Sequence, residues 1–298
     1  MRRDITFNSK GLQCVGWLYV PDNLPAGQKA PTIVMAHGFS ATKEQALDRF
    51  AEQFVNAGFV TMVFDYRFLG GSEGEPRCQI LWYEQIEDYR NAITWVSDQP
   101  EVNPDRIGIW GTSFSGAHVL WVSAYDKRVK AVVSQVHGGV SLWDATQKMM
   151  GPEGPKMVLE TFNLDRIQRQ KTGAVNYMPV VAPEGEPSVL SGPEAYHFFT
   201  QPKVPSWRNE VTIESLEKSV EYDLTIPLQR ISPTPLLMVL AEYDSILTID
   251  LAKESFQRAG EPKAMTILPC GHFDVYSTEP WFSKASGAAV DWFKKHLQ

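Results

Sequence analysis

Length, composition and charge narrow the class of this protein before any motif is considered. The chain has 298 residues, of which 43% are hydrophobic and 21% charged, values typical of a folded globular protein and not of a disordered one. Its formal net charge is -7 and no basic block could follow a phosphate backbone, so we expect no nucleic-acid partner. The length suits one α/β domain with an insertion.

The N-terminal residues and the cysteines indicate a compartment. The first residues are basic but have no apolar stretch behind them, so they do not read as a secretory signal, and no segment is long and apolar enough for a membrane span. Cys14, Cys78 and Cys270 are far apart and lack CxxC spacing, so we expect neither a disulfide framework nor a zinc site. These features predict a cytoplasmic protein without a membrane partner.

Short β-branched apolar runs alternate along the chain with segments of helical periodicity. This alternation predicts an α/β fold with a mostly parallel central sheet and helices on both faces. An early stretch, residues 6–20, is expected to form an antiparallel pair of edge strands. The later predicted strands, all expected to be buried on both faces, are 32–36, 60–64, 106–110, 129–136, 236–241 and 265–268.

Three segments between the predicted strands have the pattern of amphipathic helices. Segment 42–58 carries an apolar stripe, opens with a capping box formed by Thr42 and Gln45, and ends at a glycine. Segments 86–96 and 281–297 repeat the apolar spacing of a helix.

The alternation of strands and helices stops between residues 138 and 233. This stretch is rich in proline, methionine and aromatic residues. We therefore predict an α/β core, residues 1–138 and 234–298, into which a cap, residues 139–233, is inserted over a substrate pocket. A satellite core beneath long loops and a homodimer interface are the alternative roles for the apolar residues of the cap.

A serine at the end of a buried strand is the strongest catalytic signal. Residues 106–116 read Arg-Ile-Gly-Ile-Trp-Gly-Thr-Ser-Phe-Ser-Gly, a strand that runs through a sharp turn into a helix. This context is typical of a nucleophile elbow, which would lift Ser113 into the pocket. Ser115 stands where the last glycine of the GxSxG pattern usually lies; it is small enough for the turn and is a minor alternative nucleophile.

A serine hydroxyl needs a neighbouring base, and that base needs a carboxylate to hold one tautomer. Two later predicted strands lead into Asp244 and His272, and the carboxyl ends of parallel strands share one edge of the sheet. We predict His272 as the base of Ser113 and Asp244 as its acid. Glu242 and Asp250 are alternative acids.

Two backbone N–H groups are predicted to form an oxyanion hole. Phe114 follows the nucleophile directly, and Phe39 lies in the His37-Gly38-Phe39 loop after the strand 32–36, from which the second donor is expected. His37 itself is interpreted as structural. Three further aromatic side chains are predicted to line the substrate pocket: Phe68, Trp143 and Tyr196.

Together these motifs resemble those of the α/β-hydrolase superfamily. The matching segments are the loop 37–39, Asp65-Tyr-Arg67 followed by Gly71-x-x-Gly74, the elbow at Ser113, Asp244, and Gly271-His272. Within the superfamily, the chain is similar to the dienelactone-hydrolase-like and S15-peptidase-like branch, which includes bacterial esterases and fungal polyketide thiohydrolases and acyltransferases. It departs from the usual motifs at Phe68, where a glycine often stands, and at Ser115.

The resemblance implies attack on an activated acyl carbon and an acyl-enzyme that water or another nucleophile releases, with no metal or organic cofactor. We expect a hydrolase of carboxylic esters or thioesters that takes a small-molecule substrate with a mainly apolar acyl group. A polyketide-type acyltransferase, an amidase or peptidase, and a carbon–carbon bond hydrolase would use the same triad. A non-catalytic ligand-binding protein is the alternative outside the enzymes.

Overall fold

The computed structural model of this chain describes residues 1–139, 141–201 and 203–298. Val140 and Pro202, which fall within the predicted cap, lie outside the described residues. The strands are β1 Arg2–Ser9, β2 Leu12–Tyr19, β3 Ala30–Ala36, β4 Val60–Phe64, β5 Val102–Thr112, β6 Val129–Gln135, β7 Tyr177–Met178, β8 Val211–Thr212, β9 Leu236–Ala241 and β10 Lys263–Leu268. The helices are α1 Leu47–Asn56, α2 Trp82–Ser97, α3 Phe114–Tyr125, α4 Leu142–Met150, α5 Gly154–Thr172, α6 Pro193–Thr200, α7 Ile213–Val220, α8 Thr225–Arg230, α9 Ile249–Arg258, α10 Asp274–Ser277 and α11 Trp281–Leu297.

Eight strands form one sheet in the order β1-β2-β4-β3-β5-β6-β9-β10. β1 pairs antiparallel with β2, and β2 pairs antiparallel with β4. From β4 to β10 all neighbours are parallel. The predicted α/β fold with a mostly parallel sheet is therefore confirmed, and the carboxyl ends of β3, β5, β9 and β10 lie along one edge of the sheet.

Three local predictions differ from the structure. β1 and β2 form the predicted antiparallel pair, but β2 is an inner strand between β1 and β4, so only β1 of this pair lies at an edge. β10 forms the opposite edge, and its side chains are mostly half-buried because no further strand covers it. Helix α1 begins at Leu47 and not at Thr42: Gln45 Oε1 accepts the Thr42 N–H at 2.9 Å, but Ala46 then adopts a left-handed φ of 67°.

The predicted cap region packs directly on the sheet domain. It contains helices α4 to α8 and the small β7–β8 pair. Val180, Phe199 and Leu228 of this region belong to the same buried apolar cluster as Phe114 and Val119 of the core. The cap thus shares its apolar interior with the sheet domain, and the boundaries at 139 and 233 stay a prediction.

Neither a helix that could span a membrane nor a metal-binding cluster occurs in the part of the chain that the structure describes. No helix in this part of the chain has both the length and the apolar character that a membrane span requires. The same residues contain no group of three or more His, Cys, Asp or Glu side chains that could hold a metal ion.

Candidate active site

Ser113 lies in a strained turn between β5 and α3. Its φ of 55° and ψ of −119° place it in a region that side chains other than glycine rarely occupy. Such a conformation costs about 1–3 kcal/mol and persists only where the surroundings enforce it. Here Ser113 N–H donates to Gln135 O of β6 at 2.8 Å, and Gly116 N–H donates to Ser113 O at 2.9 Å. The turn is therefore fixed from both sides.

Two glycines allow β5 and α3 to approach each other closely at this turn. A Cβ added to Gly111 would lie 2.2 Å from Ser115 O, and one added to Gly116 would lie 2.9 Å from Gln135 O. Because both neighbours are backbone atoms, neither could move without breaking the turn. The glycines thus have a steric role that the spacing of the elbow motif predicts.

Ser115 is not positioned as a nucleophile. Its side chain is fully buried, and Ser115 Oγ donates to His37 O at 2.5 Å. Because that bond uses its single proton, the Tyr66 hydroxyl must donate to Ser115 Oγ across their 2.5 Å contact. Ser115, where the chain departs from the GxSxG pattern, therefore supplies a hydroxyl that hydrogen-bonds to two buried oxygens, His37 O and the Tyr66 hydroxyl.

Asp244 and His272 form a buried pair at the carboxyl edge of the sheet. His272 Nδ1 lies 2.7 Å from Asp244 Oδ2, and the two side chains are only 3% and 5% exposed, respectively. Because a carboxylate only accepts, Nδ1 carries the proton and Nε2 is left to act as a base. Asp244 Oδ1 accepts the N–H groups of Ile246 and Leu247 at 2.9 and 2.7 Å, which fixes the carboxylate.

The two alternative acids lie away from this pair. The Glu242 side chain is exposed to solvent. Asp250 is also exposed and pairs with Lys148 at 3.2 Å. Of the three carboxylates considered from the sequence, Asp244 is the one that contacts His272.

The predicted nucleophile and base meet at a small chamber. Ser113 and His272 both line this chamber, whose volume is about 30 Å³, together with Gly38 and Phe39. One water molecule needs at least about 10–15 Å³ measured in this way. The chamber can therefore hold one or two water molecules beside the predicted catalytic pair.

The loop after β3 is oriented by hydrogen bonds to Gly38 O. His37 Nδ1 lies 3.0 Å from that oxygen and must carry the proton, and Ala41 N–H donates to it at 3.3 Å. The Phe39 N–H belongs to the same trans peptide unit, so it points in the opposite direction. Burial lowers the pKa of His37, which keeps the ring neutral in this supporting role.

Gly38 lies directly against the nucleophile. A Cβ added to it would lie 2.9 Å from Ser113 Cβ, so only glycine permits this approach. Phe114 is the first residue of α3, where backbone N–H groups have no acceptor within the helix. The rings of Phe39 and Phe114 pack edge to face with centroids 5.7 Å apart. The two predicted oxyanion donors thus belong to segments that both adjoin Ser113.

The Asp65-Tyr-Arg67 motif holds the loop after β3 in place through hydrogen bonds and ion pairs. Asp65 is fully buried, and its carboxylate accepts Lys43 Nζ at 2.8 Å, Lys43 N–H at 2.7 Å and Gly71 N–H at 3.1 Å. Arg67 pairs with buried Asp88 at 2.6 Å. The motif therefore ties the loop after β3 to the loop after β4. Lys43 and Asp88 were not predicted from the sequence, since neither belongs to a recognisable motif.

Ser113 also lines a larger cavity of about 380 Å³. Its volume falls within the range of small-molecule sites, about 300–1,000 Å³. Phe39 and Phe114 line it as well, and no Asp, Glu, Lys, Arg or His is among the described residues that line it. Apolar side chains of the cap form much of the rest of its lining, among them Leu142, Met150, Val158, Phe162, Met178 and Leu216.

The three aromatic residues predicted to line the pocket lie elsewhere. Trp143 is 38% exposed and borders a separate surface groove between α4 and α5. Phe68 has a left-handed φ of 70° and is buried against Gly74, so it is part of the loop packing. Tyr196 is 38% exposed on α6. None of the three lines either cavity at Ser113.

The small chamber is lined by apolar residues that were not predicted from the sequence as pocket residues, five of them large residues of the cap or of the loop of the base. No local pattern marks them, because most come from the cap or from loops: Leu190, Phe198, Phe199, Phe273 and Tyr276.

Two other histidines are buried near the site but are not bases. His118 Nε2 lies 2.8 Å from Gln85 Oε1, and its Nδ1 lies 3.0 Å from the Tyr222 hydroxyl. Burial lowers the pKa of His118 to about 3. Burial likewise lowers the pKa of His137 to about 4, and neither of its ring nitrogens has a hydrogen-bond partner among the described residues. Both rings are neutral parts of the interior.

The parallel sheet, the strained serine turn after β5 and the Asp–His pair after β9 and β10 define an α/β-hydrolase. More narrowly, the chain belongs to the X-Pro dipeptidyl-peptidase (S15) family, whose profile matches residues 13–178.

Relatives that cover most of the chain include a quorum-quenching protein, a polyketide transferase and a thiohydrolase. The quorum-quenching protein AidA of Acinetobacter baumannii is 31% identical, covering 98% of this chain and 94% of its own. The polyketide transferase grgF of Penicillium sp is 32% identical, covering 99% and 97%. The crystal structure of GrgF has a TM-score of 0.84 over 100% of this chain and 99% of that one. The thiohydrolase aneE of Aspergillus aculeatus is 29% identical over 86% and 80%. The family and these relatives support an enzyme with hydrolase or acyltransferase activity.

Proposed function

We propose that this enzyme is a serine hydrolase that cleaves a carboxylic ester or thioester of a mainly apolar acyl group through an acyl-enzyme on Ser113. The observation that carries the proposal is that Ser113 lines two cavities. One is the small chamber that also holds His272, and the other is the 380 Å³ cavity without charged residues in its described lining. The first suits the reacting atoms and the second suits an acyl group.

The geometry supports a two-step reaction. Ser113 Oγ attacks the acyl carbon while His272 Nε2 takes its proton, and Asp244 stabilises the imidazolium that forms. The N–H groups of Phe39 and Phe114 stabilise the oxyanion. Collapse of this intermediate breaks the bond to the leaving group, which takes the proton from His272. Water then attacks the acyl-enzyme in the same way and releases the acid and Ser113.

The hydroxyl groups around the larger cavity support an apolar acyl group. Four of them already donate to other oxygens of the chain, at 2.7–3.1 Å: Thr146, Ser188, Ser219 and Ser245. A substrate carbonyl oxygen in this cavity would lose its hydrogen bonds to water. Without a new donor, that loss would cost about 1–3 kcal/mol. An aliphatic chain avoids this cost.

The size of the small chamber favours hydrolysis over acyl transfer. Beside His272 there is room for one or two water molecules, whereas an acceptor alcohol or amine would need the surrounding side chains to move. Acyl transfer remains the second candidate, since the name of one relative, a polyketide transferase, describes it. An amidase, a peptidase and a carbon–carbon bond hydrolase are further candidates with the same triad.

We also propose a cytoplasmic location and a small-molecule substrate as the partner. The three cysteines are buried free thiols, a state that a reducing compartment maintains.

The first experiment is intact-mass spectrometry after treatment with a fluorophosphonate, alongside hydrolysis of p-nitrophenyl esters and thioesters of increasing chain length. We expect one adduct on the wild-type protein, none on Ser113→Ala, and a preference for chains that fill the larger cavity. A wild-type protein that neither labels nor turns over would contradict the proposal and support the ligand-binding alternative.

A second experiment separates the chemical outcomes. Products are analysed with esters, thioesters, anilides and diketones, with and without added alcohols or amines. We expect free acid from esters or thioesters to dominate even with an added acceptor. If the acyl group passes mainly to the acceptor, the protein is an acyltransferase.

A further inference from the structure

A tryptophan of the cap holds the loop that carries one predicted oxyanion donor. Trp207 Nε1–H donates to Ser40 O at 3.0 Å, although the two residues are far apart in the sequence. Ser40 is buried and adopts a left-handed φ of 54°. Because this conformation is costly for serine, contacts from outside the loop must maintain it.

Ser40 directly follows Phe39, whose N–H points towards the reaction centre in the proposed mechanism. Both residues lie within the turn that Ala41 N–H closes on Gly38 O at 3.3 Å. A rotation at Ser40 would disturb this turn and change the direction of the Phe39 N–H. The Trp207 hydrogen bond therefore acts on the same short loop that places the donor.

Helix α6 connects the segment that carries Trp207 to the loop of the base. The Trp207 ring stacks on Phe199 with centroids 5.3 Å apart, and Phe199 lines the small chamber. The neighbouring Phe198 contacts Phe273, next to His272, with centroids 4.8 Å apart. This part of the cap therefore touches both sides of the reaction centre.

We propose that Trp207 is a positioning residue that acts through Ser40 to keep the Phe39 N–H aligned with the oxyanion. The inference rests on the proposed acyl-enzyme mechanism and extends it. It gives the cap a role in the rate of the chemical step, separate from its role as the wall of the acyl cavity.

The test compares Trp207→Phe with the wild-type enzyme on a p-nitrophenyl ester. Phenylalanine keeps an aromatic ring for Phe199 but removes the donor. We expect kcat to fall about tenfold, less than the hundredfold or more that follows loss of a whole oxyanion donor. KM should stay unchanged, and the affinity for an alkyl boronic acid, an analogue of the tetrahedral intermediate, should fall by the same factor as kcat/KM.

Two further variants separate positioning from simple docking of the cap. Ser206→Ala removes the hydrogen bond from Ser206 Oγ to Glu44 Oε2 at 3.0 Å in the same segment but leaves Ser40 alone, so it should keep the wild-type kcat. Trp207→His can place a ring N–H where the indole N–H lies, so it should retain more of kcat than Trp207→Phe, even if both variants lose thermal stability.

The inference is overturned if Trp207→Phe keeps the wild-type kcat, if only KM changes, or if Ser206→Ala loses as much activity. It is also overturned if Trp207→His is no better than Trp207→Phe. A wild-type protein that does not label with fluorophosphonate would instead contradict the proposed function itself, which distinguishes the two failures.

Discussion

The catalytic edge of the sheet and the cap are built in different ways. At the edge, Ser113, Asp244 and His272 each follow a strand within a few residues, and backbone geometry decides where they lie. In the cap, the residues that line the acyl cavity come from several helices and loops and meet only through tertiary packing. In the proposed mechanism, the chemistry therefore depends on a few strand ends, whereas substrate selection depends on the packing of a long irregular segment.

The largest effect expected at the catalytic edge is that of Ser113→Ala. By analogy with other serine triads, kcat should fall by about a millionfold, measured by ester hydrolysis with an active-site titration. Ser115→Ala is the matched control two residues away. It should still label with fluorophosphonate but lose about 1–3 kcal/mol of unfolding free energy, because His37 O and the Tyr66 hydroxyl lose their partner. Labelling lost in Ser115→Ala and kept in Ser113→Ala would reverse the assignment.

The next largest effect should come from Asp244→Asn. The amide preserves the shape of the side chain but can hold His272 in the wrong tautomer, so we expect kcat to fall by about 10⁴. Glu242→Gln, an exposed neighbour with the same change of charge, should keep nearly full activity. Equal losses in the two variants would indicate a general electrostatic effect and not a specific pair.

A change in the cap should alter selection without altering the chemistry. Ala145 is buried and lines the larger cavity, so Ala145→Phe should shorten it and lower kcat/KM for the longest esters by about tenfold or more. Short esters should be little affected. Trp143→Ala, on the same helix but facing the other groove, should leave the chain-length profile unchanged. A changed profile in Trp143→Ala would place this residue in the substrate path after all.

The smallest effect concerns the interior and should appear as acid sensitivity. His118 and His137 have folded-state pKa values of about 3 and about 4, below the unfolded value of about 6.5, so the unfolded chain binds protons first as pH falls. Stability should be full above about pH 6.5 and decline towards pH 4, by up to about 2 kcal/mol per histidine at pH 5.

This loss of stability can be measured by urea unfolding at pH 7 and pH 5. The proteins compared are the wild type, His118→Gln and His137→Gln. Each substitution should reduce the difference between the two pH values, whereas His197→Gln, on an exposed residue, should not. A wild-type protein equally stable at both pH values would show that these rings take up protons in the folded state.

The same contrast explains what could be predicted from the sequence. The sheet and the places of Ser113, Asp244 and His272 follow from short local patterns, because a parallel strand delivers its next residues to a known edge. The pocket residues could not be predicted in this way. Trp143 and Tyr196 have the right chemistry but lie on outer faces of cap helices, and no spacing rule shows which face is inner.

Backbone conformations that tertiary contacts determine could not be predicted from the sequence either. Ala46 and Ser40 adopt left-handed φ values without being glycines, so the start of α1 and the shape of the loop after β3 could not be predicted from residue type. The pairing of Asp65 with Lys43 could not be predicted for a related reason, since Lys43 approaches from a different loop.

The apolar cluster shared by the cap and the sheet domain has a consequence for how the protein opens and unfolds. Val180, Phe199 and Leu228 pack into the same interior as Phe114 and Val119, so swinging the cap away as a rigid unit would expose much of the core. Substrate entry should therefore rely on a local opening that leaves this interior intact. For the same reason, we expect denaturant to unfold the cap and the sheet domain together, in one cooperative transition.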